Sequence, residues 1–491
     1  MLGLQMTQAQ KSIDLCSSRV RVGTTADWLY RINQASIISN LEEGLLAKEL
    51  ACALSRALTE MQKDQREGRL AAAQTYIEFE PEMLKRAGMA ASVVHIGRSS
   101  QDVLATVNAA LNKERIFKIL DGIHLVSSRL FELAQRETDT IVPAYTNGVQ
   151  ALPTRYAHYL LAFCSAFLRE ANRIKECIAR YDRCPMGSGV LNGSGWPLNR
   201  ERMAELLGFA SPADNAFDAG QISGNTFPLE LSQCIASLMA LVSSFLADFS
   251  MQNSQTIPWI VLCLNGSTYV SSAMPQKRNP GYLNDCRRDA AVVTAQTQSW
   301  LLRSQNLSTG MPDMRDDLLV NELCSDAYKV LTTFSSIIAS IHINQERALA
   351  EINSDWACTQ EIADNLTKHG LDFRTSHGFA STFVTFARKA GLTPLNVTFT
   401  QVLEQWEVFC EQRALSLKEF PLTESEFFEA TDPIQIVEAR KTLGGPQKTE
   451  ITRMSESTQA ALNALDSYIL QFINNQTKCN SRLHLHMEKL C

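Results

Sequence analysis

The spacing of apolar residues is the feature that most constrains this chain. Over most of its length they recur every three or four positions, where a strand would alternate them. Leu46, Leu50, Leu54, Leu58 and Met61 keep one face of a first long helix, and around Asp121-Gly122 the series Ile119, Ile123, Val126, Leu130 and Leu133 steps by 4, 3, 4 and 3. That step pattern belongs to helices packed side by side in a bundle. Further helices are expected at about 153–182, 227–255, 281–304, 318–350 and 455–474. Helices this long and nearly parallel must bury broad faces, so an all-α bundle that continues into partner subunits is the expectation. At roughly 150 residues per domain, 491 residues suggest about three domains. After about Gly370 the composition shifts to shorter helices and the Phe420–Asp432 segment, which points to a small C-terminal domain ending in a polar, frayed tail.

Charge and cysteine usage exclude several classes of function. Forty-six basic against 52 acidic side chains give a net charge of −6, the wrong sign for a nucleic-acid footprint. Thirteen cysteines, odd in number and without a CxxC pair, predict reduced thiols in a cytoplasmic protein. The longest apolar run, Leu229 to Phe249, is interrupted by serines, a glutamine, a glutamate and an aspartate, so no membrane span is predicted. The few histidines show no ligand spacing such as HExxH, and His484 and His486 fall in the polar tail, so no metal is expected.

Between the helical stretches lie polar or glycine-bearing segments at 95–102, 143–150, 185–197 and 266–280. The last, GSTYVSSAMPQKRNP, holds Ser271, Ser272, Lys277 and Asn279 and runs into a helical pattern after Pro280. Asn279 followed by Pro280 is N-cap and first-turn chemistry, so this loop is expected over a helix N-terminus. Free backbone N–H groups, the helix dipole and the Lys277 charge would together hold a carboxylate. Taken alone, paired serines and a lysine are more often solvated turn residues. The complete string changes that weighting: SSAMPQKRNP resembles the SSxMPxKxNP signature of the fumarase/aspartase superfamily, although its usual preceding glycine is Val270 here.

Other segments resemble the argininosuccinate lyase branch in the same order. They are HIGRSSQDVLAT from His95, PAYTNGVQALPTRYAHYLLA from Pro143, the glycine-rich loop at 185–201, Phe373-Arg374 through His377, and VEARKTLGGP at 437–446. The resemblance implies an all-α, three-domain lyase: residues 1–111, a central long-helix bundle at 112–367, and a small domain at 368–491. It implies a homotetramer whose active sites lie at subunit junctions, with the polar regions supplied by different chains, and no cofactor or metal. The implied reaction is carbon–nitrogen elimination from an N-substituted aspartate to leave fumarate, or its reverse. A small dicarboxylate is the expected partner, with neither nucleic acid nor membrane.

Residue by residue, Ser271 matches the base serine, while Lys277 and Asn279, with Ser272 beside them, match groups that hold the succinyl moiety. Thr146 matches a substrate-binding threonine. The histidine that follows it in argininosuccinate lyases is Asn147 here, which cannot titrate and is read as a positioning residue. His158 is expected one or two turns into the next helix as a structural histidine. In the first region the Ser-Arg-Asn of the branch becomes Ser99-Ser100-Gln101, which keeps hydrogen bonding but loses a bidentate guanidinium. On the amine side Gly310 stands for a tyrosine, Pro312 for a lysine and Arg315 for a glutamine, while Ile222-Ser223-Gly224 stands for an acidic-Arg-Asp run. The fumarate half of the site is therefore legible and the amine half rewritten, toward an acidic or neutral polar amine in place of arginine. Ser99-Ser100-Gln101-Asp102 also resembles adenylosuccinate lyase and carboxymuconate cycloisomerase, and a non-catalytic structural homologue is the remaining alternative.

Overall fold

The computed structural model describes residues 17–263, 268–310, 317–416 and 419–491. Its N-terminal layer is built from α1 (Thr25–Glu42), α2 (Lys48–Arg66) and α3 (Tyr76–Ala87). The first of these starts at a reciprocal cap, Thr24 accepting from the Asp27 backbone while the Asp27 carboxylate accepts from that of Thr24. On α2 the expected stripe is realised, with Leu54, Leu58 and Met61 fully buried.

A 37-residue helix, α4 (Ser100–Arg136), then crosses the molecule; at 1.5 Å per residue it is about 55 Å long. It runs through residue 111 without a break. An antiparallel hairpin follows, β1 (Ile141–Thr146) with β2 (Val149–Arg155), and leads into α5 (Tyr156–Tyr181). The hairpin takes residues expected in a helix from about 153, because Pro153, Thr154 and Arg155 pair with Pro143, Val142 and Ile141 across the ladder. Strands β3 (Arg183–Cys184) and β4 (Ser211–Pro212) bracket α6 (Arg200–Leu207), and a π-turn at Asp218–Ile222 opens α7 (Ser223–Asn253).

After β5 (Ile260–Leu262) comes a second small hairpin, β6 (Tyr269–Val270) with β7 (Arg278–Asn279), then α8 (Gly281–Arg303) and α9 (Asp317–Ala339). The helix expected to continue to about 350 stops at Ala339. There β8 (Ile341–Ile343) pairs with β5, and Asn344 caps a separate α10 (Gln345–Ile352).

Helices α4, α5, α7, α8 and α9 share one core, in which Ile119, Ile123, Val126 and Leu130 are fully enclosed. The run Asp218–Asn253 is long enough, and over its most apolar 18-residue window, of mean hydropathy 1.7, apolar enough, to cross a membrane. Its apolar stripe, Leu231, Ile235, Leu238, Val242 and Phe245, is taken up by this core.

A separate aromatic cluster, with Trp356, Phe379, Phe383, Trp406 and Phe427, joins α11 (Thr359–Lys368), α12 (Phe373–Lys389), α13 (Phe399–Gln412), α14 (Glu424–Glu429) and α15 (Pro433–Glu438). The closing segment departs from the expected frayed tail. It is the end of a 41-residue helix, α16 (Lys448–Glu488), that returns along the bundle. Phe472 stacks on Phe117 with ring centroids 3.8 Å apart, and Leu483 and Met487 complete the core of the N-terminal layer. Apolar residues seven and four apart dock it there, a repeat hidden in the sequence by the polar positions between them. The expectation of reduced thiols also needs one correction. Cys52 of α2 and Cys491 form a disulfide with Cα atoms 5.3 Å apart, because α16 brings the chain end onto α2. The other ten described cysteines are free, and all but Cys263 are buried.

Candidate functional site

Ser99 caps α4: its Oγ accepts from the Gln101 backbone at 3.2 Å, and its own N–H donates to Asp102 Oδ1 at 2.7 Å. The buried Asp102 carboxylate also accepts from Gly187 at 3.0 Å and Gly189 at 3.4 Å, which ties the glycine-rich loop to the start of α4. Burial pushes the Asp102 carboxyl above the usual carboxylate range, against the pull of these backbone donors. Arg98, one residue before the cap, donates to Ser36, Asn33 and Tyr76 and so fixes the approach of the chain. Ser100 and Gln101 stand in the first turn of α4, Gln101 exposed.

Thr146 and Asn147 form the tip of the β1–β2 hairpin. Asn147 has φ 52° and Gly148 φ 76°, the left-handed pair that a two-residue hairpin turn requires. Both Thr146 and Asn147 are exposed. Behind the tip, Tyr145 OH accepts from Gln255 at 3.0 Å and Trp259 at 3.3 Å, anchoring the hairpin to the end of α7. An Asn-Gly pair between two extended stretches was the available sequence signal for this hairpin.

The signature string forms the β6–β7 hairpin. The Ser271 N–H donates to the Lys277 carbonyl at 3.1 Å and Lys277 N–H to the Met274 carbonyl at 3.0 Å. Ser271 Oγ accepts from the Met274 backbone at 3.2 Å. Ser271 and Asn279 are half-buried, Ser272 and Lys277 exposed. The expected cap lies one residue later: pairing with Tyr269 holds Asn279 extended, so Pro280 takes the N-cap position and α8 starts at Gly281. Pro312 and Arg315 lie outside the described residues.

One protomer does not bring these regions together. Ser99 caps the start of α4, whereas the hairpin follows its far end, with Gly148 at the tip beside Met251 near the end of α7. The signature hairpin leaves the same end as Asn147, because α8 starts there and its far end leads to Gly310, which lies against Gln221 beside the start of α7. No hydrogen bond joins Thr146 or Asn147 to Ser271 or Lys277 among the described residues. His158 is in the first turn of α5, earlier than expected, and both ring nitrogens are engaged. The Gly444 carbonyl at 2.9 Å can only accept, so Nε2 carries the proton and Nδ1 faces Thr154 Oγ1 at 3.4 Å.

Residues 6–294, more than half of the chain, match the model of the Lyase family. The chain belongs to that family. Within it this lyase stands on the argininosuccinate lyase-like branch of the fumarase/aspartase superfamily. Argininosuccinate lyase of Pelotomaculum thermopropionicum is 29% identical over 413 residues, 82% of this chain and 85% of the relative. That of Desulforamulus reducens is 28% identical over 436 residues, 88% and 90% of the two chains. Among solved structures, an EDDS lyase in complex with formate superposes with a TM-score of 0.82 at 20% identity, covering 96% of this chain and 93% of that one. The class II fumarase of Schistosoma mansoni gives 0.66 at 15% identity, covering 87% and 93%. At those identities the structural likeness establishes the helical fold of the lyase and nothing finer.

Beside Gln101 the lyase has a cavity of about 450 Å³ between α4, the end of α5, the π-turn and the start of α7. Asn108 and Asn112 of α4 line it, and neither was singled out from the sequence. Their signal was a polar pair four apart on a helix face that also carries Leu104, Ala105, Ala109 and Ile116. Among the described residues no group of three His, Cys, Asp or Glu side chains is placed to hold a metal ion.

Proposed function

We propose that the lyase cleaves the carbon–nitrogen bond of an N-substituted aspartate to release fumarate and an amine, or adds an amine to fumarate. Ser271, as alkoxide, removes the proton from the carbon next to one carboxylate. The electron pair moves into that carboxylate to give a doubly charged aci-carboxylate, then returns to form the alkene as the C–N bond breaks. Lys277 and Asn279 hold the carboxylate whose charge grows, so they act mostly on the intermediate. Ser99, Ser100, Gln101, Thr146, Asn147 and Ser272 hydrogen-bond the rest of the succinyl moiety, and Arg315 is assigned to bind the amine half. Asn147 cannot protonate the departing nitrogen, and none of these residues is assigned that role. No cofactor or metal takes part.

The observation that carries this reading is the β6–β7 hairpin inside the family match: it presents Ser271 and Lys277 on one turn closed by their mutual backbone hydrogen bond. The separation of Ser99 from Asn147 along α4 supports assembly as a homotetramer, since only neighbouring subunits can bring the three regions to one point. A cytoplasmic location belongs to the same proposal, supported by ten free cysteines against the single Cys52–Cys491 disulfide among the described residues. The amine half differs from arginine, because Gly310 has no side chain to offer a guanidinium. The test is ultraviolet detection of fumarate over a panel of N-substituted aspartates that includes argininosuccinate, with amine addition to fumarate as the reverse assay. Fumarate release from members other than argininosuccinate supports the reading. Argininosuccinate as the best substrate would overturn the amine assignment, and no turnover of any member in either direction would favour a non-catalytic homologue.

A further inference from the structure

We propose that the cavity beside Gln101 is the subsite for the amine half, and that it takes a primary amine with an uncharged alkyl stem ending in a neutral hydrogen-bonding group. The proposal rests on the reading above, in which Gln101 touches the fumarate half. The cavity begins at Gln101 and follows α4 to Ile116, about 22 Å of helix. Much of its wall is apolar, with Leu104, Ala109, Ile116, Phe227 and Val320 among the lining side chains. Ser223 and Gly224 at the start of α7 leave it wide.

The charged groups on its wall decide what the stem can carry. Lys113 Nζ is held by both Asp182 oxygens at 2.7 Å and by the Gly208 carbonyl at 2.9 Å. Arg180 is bound to Glu230. Neither cation is available to a carboxylate, and Arg183, exposed and bonded only to the Asp182 carbonyl at 3.5 Å among the described residues, is one free cation against two free carboxylates. Asp214 and Asp218 line the cavity, are exposed, and pair with no cation among the described residues. They would repel an acidic tail. Asn112 already accepts from Arg115 at 2.9 Å, whereas the Asn108 amide has no partner among the described residues and can meet a hydroxyl or amide. Of the acidic and neutral amines left open by the sequence, the cavity therefore selects the neutral.

In the addition direction the amine nitrogen bonds to one alkene carbon of fumarate as the π bond opens, the Ser271 hydroxyl delivers its proton to the other carbon, and the proton shed by the nitrogen restores that hydroxyl through solvent. The experiment uses the full chain with fumarate and straight-chain amines from methylamine to hexylamine, together with 5-aminopentanol and 5-aminopentanoate. The expected kcat/KM rises about three- to fourfold per methylene, holds for the alcohol, and falls at least tenfold for the carboxylate. Gly224→Leu, at a position where an added Cβ meets nothing within 4 Å, should lower the hexylamine-to-methylamine ratio at least tenfold, and Ala109→Phe should do the same from the opposite wall. A flat amine series, a preferred carboxylate, or an unchanged ratio in both variants would overturn the subsite. If no amine adds, calorimetry with N-hexyl- and N-methyl-aspartate separates the two readings. Tighter hexyl binding that Gly224→Leu abolishes would sustain the subsite while the catalytic reading fails, and equal binding would end the subsite as well.

Discussion

The Asp102 carboxylate at the start of α4 accepts the Gly187 backbone N–H at 3.0 Å, joining a helix cap to a loop 85 residues away. Because the same carboxylate receives the Ser99 N–H at 2.7 Å, Ser99 and the glycine-rich loop are set by one buried side chain. Asp102→Asn turns one acceptor oxygen into a donor that confronts a backbone N–H. The expected loss is about 1.5–3 kcal/mol, the range for hydrogen bonds to charged groups, read from urea unfolding. An unchanged midpoint would mean that the loop is held by other contacts.

Ser271→Ala should lower turnover by 10²–10⁴-fold, the usual loss with a general base, while circular dichroism and sedimentation stay as in the parent. Among the described residues the hydroxyl accepts only the Met274 N–H, within its own hairpin, so little packing is at stake. Activity above about a tenth of the parent would contradict its role as the base.

Lys277→Met removes a charge proposed to act on the carboxylate in both ground state and intermediate. The expected outcome is a higher KM together with a lower kcat, and weaker fumarate binding by calorimetry. Unchanged fumarate affinity would make Lys277 a solvated turn residue.

His158→Gln tests whether the histidine nearest the hairpin supplies the missing proton. Its ring bridges Thr154 and Gly444, so the variant should lose about 1 kcal/mol of stability and keep the pH–rate profile. Disappearance of one limb of that profile would instead identify His158 as an acid.

Arg388 grips Asp355 with two hydrogen bonds, Nε to Oδ1 at 2.8 Å and Nη2 to Oδ2 at 2.5 Å, and these hold the Asp355 carboxyl below its usual range. A depressed carboxyl pKa contributes stability that is present above the unfolded value, about 3.9, and is lost as pH falls through the folded value. Arg388→Gln should therefore lower the melting temperature slightly above pH 4, with the gap to the parent closing below it. Both side chains are half-exposed, so the effect should stay below about 1 kcal/mol. A gap that widens in acid would reverse the assignment.

The helical stripes on α2 and α4 were legible because packing in a bundle repeats every three to four residues, a period written locally in Leu54, Leu58, Ile119 and Ile123. The β1–β2 hairpin was missed although Asn147-Gly148 announced it, since the apolar residues that follow continue a helical pattern. The break after Ala339 could not be read the same way, because the partner that pulls Ile341–Ile343 into a strand is Ile260–Leu262, some eighty residues earlier.

By itself the sequence determined the chemistry on offer. SSAMPQKRNP names the residue types at the signature turn, and Asn147 removes a titrating group from the hairpin tip whatever the fold. Only the tertiary structure decided where those groups stand. It set Ser99 at the start of a 37-residue helix and Asn147 in the hairpin beyond its other end, opened a cavity beside Gln101 and returned the chain end to Cys52. The physical reason is that hydrogen bonding within a helix or turn depends on near neighbours along the chain. The space between helices and the meeting of distant segments depend on how whole faces pack, which no local run of residues records.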